Sequence, residues 1–439
     1  MSFSSCRQRE QMKISLLIIF IAAFLSGCQE RPTPPNQPDI PPISQLPASS
    51  QPVPEAGSGA QQAAGTDTPL ILWVPPFFSI DTINRADAVL AAALAEFAPT
   101  DAAAAVTLVP KAERGTSGLL AYLLTAQQAA PVLLPDIVLI NSYDLPRLVS
   151  AGIVSPLSAQ DIRPFPDIPP ALLVSAEVDN LLYGLPFIAS LEHLVYQKEQ
   201  MPVPPTRLTD ILAQDHQLLF AGGAADEYSQ SISWTLYLIS GGDVDEQFRL
   251  TDPEAMAAVF NFLYAGREKG LIPETAWNLS NAQAVWTFFA NGDAEMAVVP
   301  AGVYYNRQGE VGEIGFAPLP SLDGQPHSVV TTWSFVITTQ IPERRQRALR
   351  LLQQLFEPQF HGEWSGSAHQ LPTQPAALAY WDTSAPYTLF LQEMLTSSVP
   401  APNPRTLGEL ARAVQQAQKM ILTGEISPQA ALDSLPFHP

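Results

Sequence analysis

The chain is 439 residues long, and with 46% hydrophobic and 9% aromatic content it can build cores for two or three domains of ordinary size. Its 42 acidic side chains outnumber the 22 basic ones, for a formal charge of −20. That excess argues against nucleic acid and against adsorption to an anionic membrane surface, and it is silent about fold.

Near the start, Lys13 precedes an apolar run from Ile14 to Leu25 that is short for a bilayer span and has the build of a signal peptide. It ends at Leu25-Ser26-Gly27-Cys28, which resembles a bacterial lipobox. The resemblance implies cleavage after residue 27 and acylation of the Cys28 thiol. Cys6 goes with the leader, so neither a disulfide nor a thiolate metal site is expected. Loss of Arg7, Arg9, Lys13 and Glu10 with the leader takes the formal charge from −20 to −22. Residues 28–68 are rich in Pro, Gln, Ser, Ala and Gly, a composition that cannot offset its own ordering entropy. This segment reads as a tether, and extended polyproline geometry would let it reach roughly 100 Å at about 3.1 Å per residue.

Leu70–Val74 begins the folded part as a strand, followed by the Pro75-Pro76 turn that carries Phe77 and Phe78. Adjacent rings on an extended chain point opposite ways, so at most one of the two can face a ligand. A helix capped by Asp81 or Thr82 runs to Phe97 before Pro99, Thr107–Val109 is a second strand, and Leu119, Leu120, Leu123 and Leu124 mark a helix that ends before Pro131. Ile137–Ile140 is an unbroken apolar run, which suits a strand covered on both faces. The polar cluster Asn141-Ser142-Tyr143-Asp144 follows, then a short helix, Leu145–Ser150, which Gly152 stops. This β-α-β-α order predicts an α/β lobe with a mostly parallel sheet, and such sheets bind ligands at the carboxyl ends of their strands.

A second unit opens at Tyr183–Ser190 and continues through Leu191–Tyr196. Helices are expected over 208–214 (capped by Thr206), 231–239, 252–266, 282–289, 343–355 and 407–422, and strands over 295–299, 314–317 and 332–338. Trp234, Trp286, Phe288 and Phe289 read as core aromatics. No Ser-centred elbow, Walker loop, HExxH or dinucleotide glycine pattern occurs, so the residues argue against an enzyme. His361 and His369, the nearest histidine pair, have no further ligand at metal spacing, and no metal or cofactor is expected.

Several stretches, taken in order, resemble the extracellular solute-binding proteins of ABC importers, in the maltose-binding-like branch. They are PDIVLINSYDLPRLVSAGIVSPL, YGLPFIASLEHLVYQK, WTFFANGDAEMAVVPAGVYYN, GEIGFAPLPSLDGQPHSVVTTWSFVIT, ERRQRALRLLQQLF and the tail ILTGEISPQAAL. The resemblance implies a two-lobe α/β fold with the ligand in the cleft between lobes, residues 69–187 and 322–372 forming one lobe and 188–321 and 373–439 the other. It implies a monomeric lipoprotein on the outer face of the membrane, which captures a solute, foremost a carbohydrate, and hands it to permease subunits. By motif, it assigns ligand contacts to Phe77, Phe78, Asn141, Tyr143, Asp144, Ser190, Tyr228, Tyr304 and Trp333, with Asp144 and Tyr304 foremost; Glu192, Ser231, Trp234 and Gly302 lie beside them. Gly302 stands where sugar binders often carry tryptophan and Ser190 where some carry a carboxylate. A non-sugar solute, or a sensor that serves no transporter, therefore stays open.

Overall fold

A computed structural model of the chain describes residues 68–79, 85–97, 106–165, 168–223 and 231–437. All lie within one compact unit, Ala60–Pro439. The leader, Cys28, the tether up to residue 67, Tyr228 and the Asp81/Thr82 cap lie outside the described residues.

The unbroken apolar runs form the centre of a sheet. Strand β1 (Leu70–Val74) lies between β2 (Val106–Pro110) and β3 (Ile137–Asn141), all parallel, and β3 is buried on both faces from Ile137 to Ile140. A small hairpin, β4 (Glu177–Val178) and β5 (Leu181–Leu182), turns through Asp179 and Asn180, both with positive φ, as a tight hairpin requires. Then comes β6 (Leu185–Gln197), thirteen residues whose positions are buried except Ser190, Glu192 and Gln197. The remaining strands are β7 (Leu218–Leu219), β8 (Met296–Pro300), β9 (Ile314–Ala317), β10 (Ser328–Ile337), β11 (Leu371–Pro372) and β12 (Ser398–Pro400). Their order is β2-β1-β3-β10-β6-β8-β7, with β11 and β9 on β6 and β12 on β10.

This order makes two sheet halves that share one strand. From Leu185 to Leu191 β6 pairs with β10, itself antiparallel to β3; from Glu192 to Tyr196 it pairs with β8, and from Leu194 to Gln197 with β9. The passage from one half to the other falls between Leu191 and Glu192, a few residues after the lobe boundary read from the sequence.

Helices cover the halves. Around the first lie α1 (Arg85–Phe97), α2 (Leu119–Ala129) and α3 (Leu145–Ser150). The second half carries α4 (Ile232–Ile239), capped by the Ser231 hydroxyl, α5 (Pro253–Glu268), α6 (Ala282–Ala290) and α7 (Ala301–Arg307). The chain then returns through α8 (Pro342–Leu355) and α9 (Pro358–Ser367) to α10 (Ala385–Thr396), α11 (Pro404–Leu407) and α12 (Glu409–Thr423).

Three expectations need correction. The helix expected over 407–422 is interrupted at Gly408, whose φ of 54° and ψ of −105° no helix accommodates. Thr206 does not cap the helix Leu208–Leu212: Arg207 holds that position, and the Asp210 carboxylate accepts from the Thr206 and Arg207 amides. Phe288 is 37% exposed, because α6 turns Val285, Trp286 and Phe289 inward and Phe288 falls outside that stripe. Trp234, Trp286 and Phe289 lie in the core.

One ion pair ties the first half together. Asp136, just before β3, accepts from Arg344 of α8 at 2.7 and 2.5 Å and from the Ile71 amide of β1 at 2.8 Å. The guanidinium also reaches the Thr68 hydroxyl and the Pro69 carbonyl, and both charged side chains are nearly inaccessible. A buried charge that loses its partner is costly, so Asp136→Ala should lower unfolding free energy in urea by about 3–5 kcal/mol. A loss under about 1 kcal/mol would mean that the pair is dispensable.

Candidate functional site

At the carboxyl ends of β1 and β3 the chain turns sharply beside the crossing strands. Pro75 and Pro76 lead into a 3-10 turn, Pro76–Phe78, which sends the two phenylalanines apart. Phe78 is wholly buried, 4.6 Å from Trp364, 5.5 Å from Phe335 and 5.8 Å from Phe187 between ring centres, and offers no surface to a ligand. Phe77 stays half-buried and meets Trp333 edge-on, at 5.2 Å and 89°. Such an edge-to-face pair is a favoured aromatic geometry and leaves ring surface free. Trp333 sits on β10 opposite Asn141 on one side and Ile188 on the other, and directly opposite residues share a face.

Of the polar cluster after β3, only Asn141 keeps an accessible side chain; its Oδ1 accepts from the Tyr143 amide at 3.0 Å and starts the turn. Ser142 enters a buried row of hydroxyls, 2.8 Å from Ser334 Oγ and 2.6 Å from Thr332 Oγ1, which is 2.6 Å from Ser175 Oγ. Tyr143 is buried, and its carbonyl accepts from Asn403 Nδ2 at 2.8 Å. Asp144 is 1% exposed and ion-paired to Arg405 of α11. Its carboxylate is thus already engaged by the chain, through a partner 261 positions away that no local spacing reveals.

On β6, Ser190 is exposed opposite Thr331, two residues from Trp333. Glu192, at the passage between the halves, is half-buried opposite Pro300. Among the described residues it has no hydrogen-bond or charge partner, and burial pushes its carboxyl up to about 7. The next residue, His193, faces the core: Nδ1 donates to the Leu194 carbonyl at 3.1 Å, and Nε2 lies 3.1 Å from the Tyr387 hydroxyl. Burial pushes this imidazole down to about 4 and keeps it neutral.

Tyr304 lies with His193 in the core. Its ring centre is 4.5 Å from Tyr387, 5.4 Å from His193 and 5.9 Å from Phe316, it is 4% exposed, and burial, with Tyr196 nearby, pushes the phenol up to about 12. The ring that keeps surface is that of Tyr305, about 100° round α7, which stacks on Trp381 at 4.2 Å and approaches His369 at 5.7 Å. The structure thus gathers Phe77, Asn141, Trp333 and Ser190 around the crossing strands, where Thr331 and Glu192 also lie, while Tyr305 sits apart with Trp381 and His369. Phe78 and Tyr304 pack into cores, and Tyr143 and Asp144 are held by the segment around α11. Among the described residues no cluster of His, Cys, Asp or Glu is arranged to hold a metal ion.

Residues 92–392 match the model of bacterial extracellular solute-binding proteins. The chain belongs to that family. Members bind solutes and are not enzymes, and the two sheet halves joined through β6 suit such a binding protein. Solved structures share the fold: the maltose-bound MalE3 of T. maritima is 18% identical with a TM-score of 0.65, over 84% of this chain and 98% of that one. The cyclic alpha-maltosyl-1,6-maltose binding protein of Arthrobacter globiformis is 17% identical with a TM-score of 0.68, over 84% and 96%. The sugar-binding protein MalE of Xanthomonas citri is 16% identical with a TM-score of 0.66, over 83% and 95%. No curated protein matches the chain by sequence.

Burial of Glu192 predicts that the stability of this solute-binding protein depends on pH. A carboxyl whose folded value of about 7 lies above its ordinary 4.5 costs stability as pH rises from about 4.5 to about 7, and the cost is full above that. Glu192→Gln should therefore raise stability at pH 8 by about 1–3 kcal/mol and change it little at pH 4.5, by urea unfolding at both pH values. Equal effects at the two pH values would show that Glu192 ionises normally.

Proposed function

We infer that the chain captures a carbohydrate between its two sheet halves and delivers it to an ABC permease from a lipid anchor at Cys28. The observation that carries this reading is the Phe77–Trp333 edge pair beside Asn141 and Ser190: aromatic surface for the apolar face of a pyranose, with an amide and hydroxyls for its ring hydroxyls. Trp333 also keeps an indole N–H with no partner among the described residues. Neighbours of the same fold bind maltose, maltotetraose and cyclic maltosyl-maltose, which supports the same solute class here.

We take residues 69–187 with 322–372 as one lobe and 188–321 with 373–439 as the other, with Pro375–Tyr380, Trp381 and the Asn403–Arg405 segment packing on the first. A solute that touches both lobes favours the state in which they close, and that state is the one a permease reads. The tether and acylated cysteine keep the binder at the outer membrane face, where import begins.

Thermal unfolding of the mature protein with glucose, maltose and longer glucans tests the reading. A bound sugar at a hundred times its dissociation constant should stabilise the fold by about 2.7 kcal/mol. Trp333→Ala should weaken binding about ten- to hundredfold and leave the apo midpoint within a few degrees, as the ring is not fully buried. If amino acids, polyamines or phosphate esters stabilise the protein and no sugar does, the carbohydrate reading fails while the family stands.

A further inference from the structure

Among the described residues, the ten-stranded sheet has one acidic or basic side chain besides the core histidine His193, and it is Glu192. Its carboxyl is not paired away. Burial is the only influence on its acidity, so no cation and no hydrogen-bond donor among those residues answers it. Ionic groups on neighbouring elements differ: Asp144 holds Arg405, and Glu310 holds Arg307 at the end of α7. The stretches 80–84, 98–105, 166–167 and 224–230 contain no Lys or Arg to supply a partner. An unpaired carboxylate partly withdrawn from water is costly, and no contact within the described residues offsets that cost.

Glu192 lies on the face of the sheet that carries the aromatic pair. On β6 the accessible Ser190 and Glu192 alternate with the buried Ala189, Leu191 and His193, which puts both side chains on one side of the strand. Ser190 sits opposite Thr331, and Thr331 is two residues from Trp333, whose ring meets Phe77. Asn141, Ser190 and Thr331 already provide neutral partners for the hydroxyls of a sugar. A carboxylate adds what they cannot, a bond to a cation, about twice as strong as a bond between neutral groups. The excess of 42 acidic over 22 basic side chains also draws cations towards the protein.

We propose that Glu192 selects a saccharide that bears an ammonium group, with a ring against Phe77 and Trp333 and its amine on the Glu192 carboxylate. This rests on the carbohydrate reading and narrows it to the amino sugars. A carboxyl that burial has pushed up to about 7 is near balance between its two forms at neutral pH, and an ammonium beside it completes the ionisation that burial opposes.

Calorimetric titration of the mature protein at neutral pH with the glucosamine trimer of chitosan, its N-acetylated form, cellotriose, maltotriose and spermidine tests this. The glucosamine trimer should bind at least about tenfold tighter than any of the neutral sugars. Glu192→Gln keeps the shape of the side chain, removes its charge and is expected to stabilise the fold, and it should bring the glucosamine trimer down to the level of the acetylated form. A neutral sugar within that tenfold margin, or a preference for the amine that survives Glu192→Gln, would overturn the selection while the carbohydrate reading stands. If the glucosamine trimer does not bind, the selection is overturned whatever else binds. Preference for spermidine over every sugar would take the carbohydrate reading with it.

Discussion

A single strand belongs to both halves of this protein, and the rest of the architecture is arranged around that fact. β6 is hydrogen-bonded to β10 over its first half and to β8 and β9 over its second, and its thirteen residues are long enough to reach roughly 40 Å. A strand buried in two sheets cannot slide without breaking both ladders. The pairing partner changes at Leu191–Glu192. That is also where the strand's run of buried positions is broken, by Ser190 and Glu192. The β10 ladder has its own irregularity close by, a register shift between Trp333 and Ser334.

Most polar groups near the crossing are committed to holding it. Asp144 clamps Arg405, and Ser142, Thr332, Ser334 and Ser175 satisfy one another in a buried row, while Asp136 clamps Arg344 at the far end of β3. His361 stacks on Phe187 at 4.1 Å and donates from Nε2 to its carbonyl, and burial pushes it down to about 4. With His193 it forms a pair of neutral core histidines that favour the fold above about pH 6.5 and oppose it as acid forces protons onto them, the reverse of the Glu192 effect. The side chains there that keep accessible surface are a short set: the rings of Phe77 and Trp333, the Asn141 amide, the Ser190 and Thr331 hydroxyls and the Glu192 carboxyl. A site built from few polar groups on a rigid apolar frame is the usual composition of a solute pocket.

The sequence shows the strands well, because runs such as Ile137–Ile140 and Leu70–Val74 have few other places to go than a sheet covered on both sides. It shows α8 by its leucine spacing, and it does not show α9, whose Gly362 and Gly366 pack against Ala377 and Trp381 in a way that only the tertiary fold requires. The antiparallel placement of β10 and β6 is likewise set by long-range pairing. In the site, the aromatic character of the cleft is legible, yet which of two neighbouring rings faces outward is not. Phe77 and Phe78 are parted by a 3-10 turn, and Tyr304 and Tyr305 by one helical step. Asp144 reads as a ligand carboxylate because its partner Arg405 is far away in the chain, and buried ion pairs of this kind are where local reading fails.

Hydrogen exchange on the mature protein, with and without saturating maltose, tests the central claim most directly, since it reports where a solute stabilises the backbone. The account predicts added protection of the amides from Ile188 to Glu192 and from Thr331 to Trp333, together with those of the turn Ser142–Asp144, and little change on the outer faces of α5 and α12. Protection confined to one half, with the crossing strands unchanged at full saturation, would contradict a solute held between the lobes.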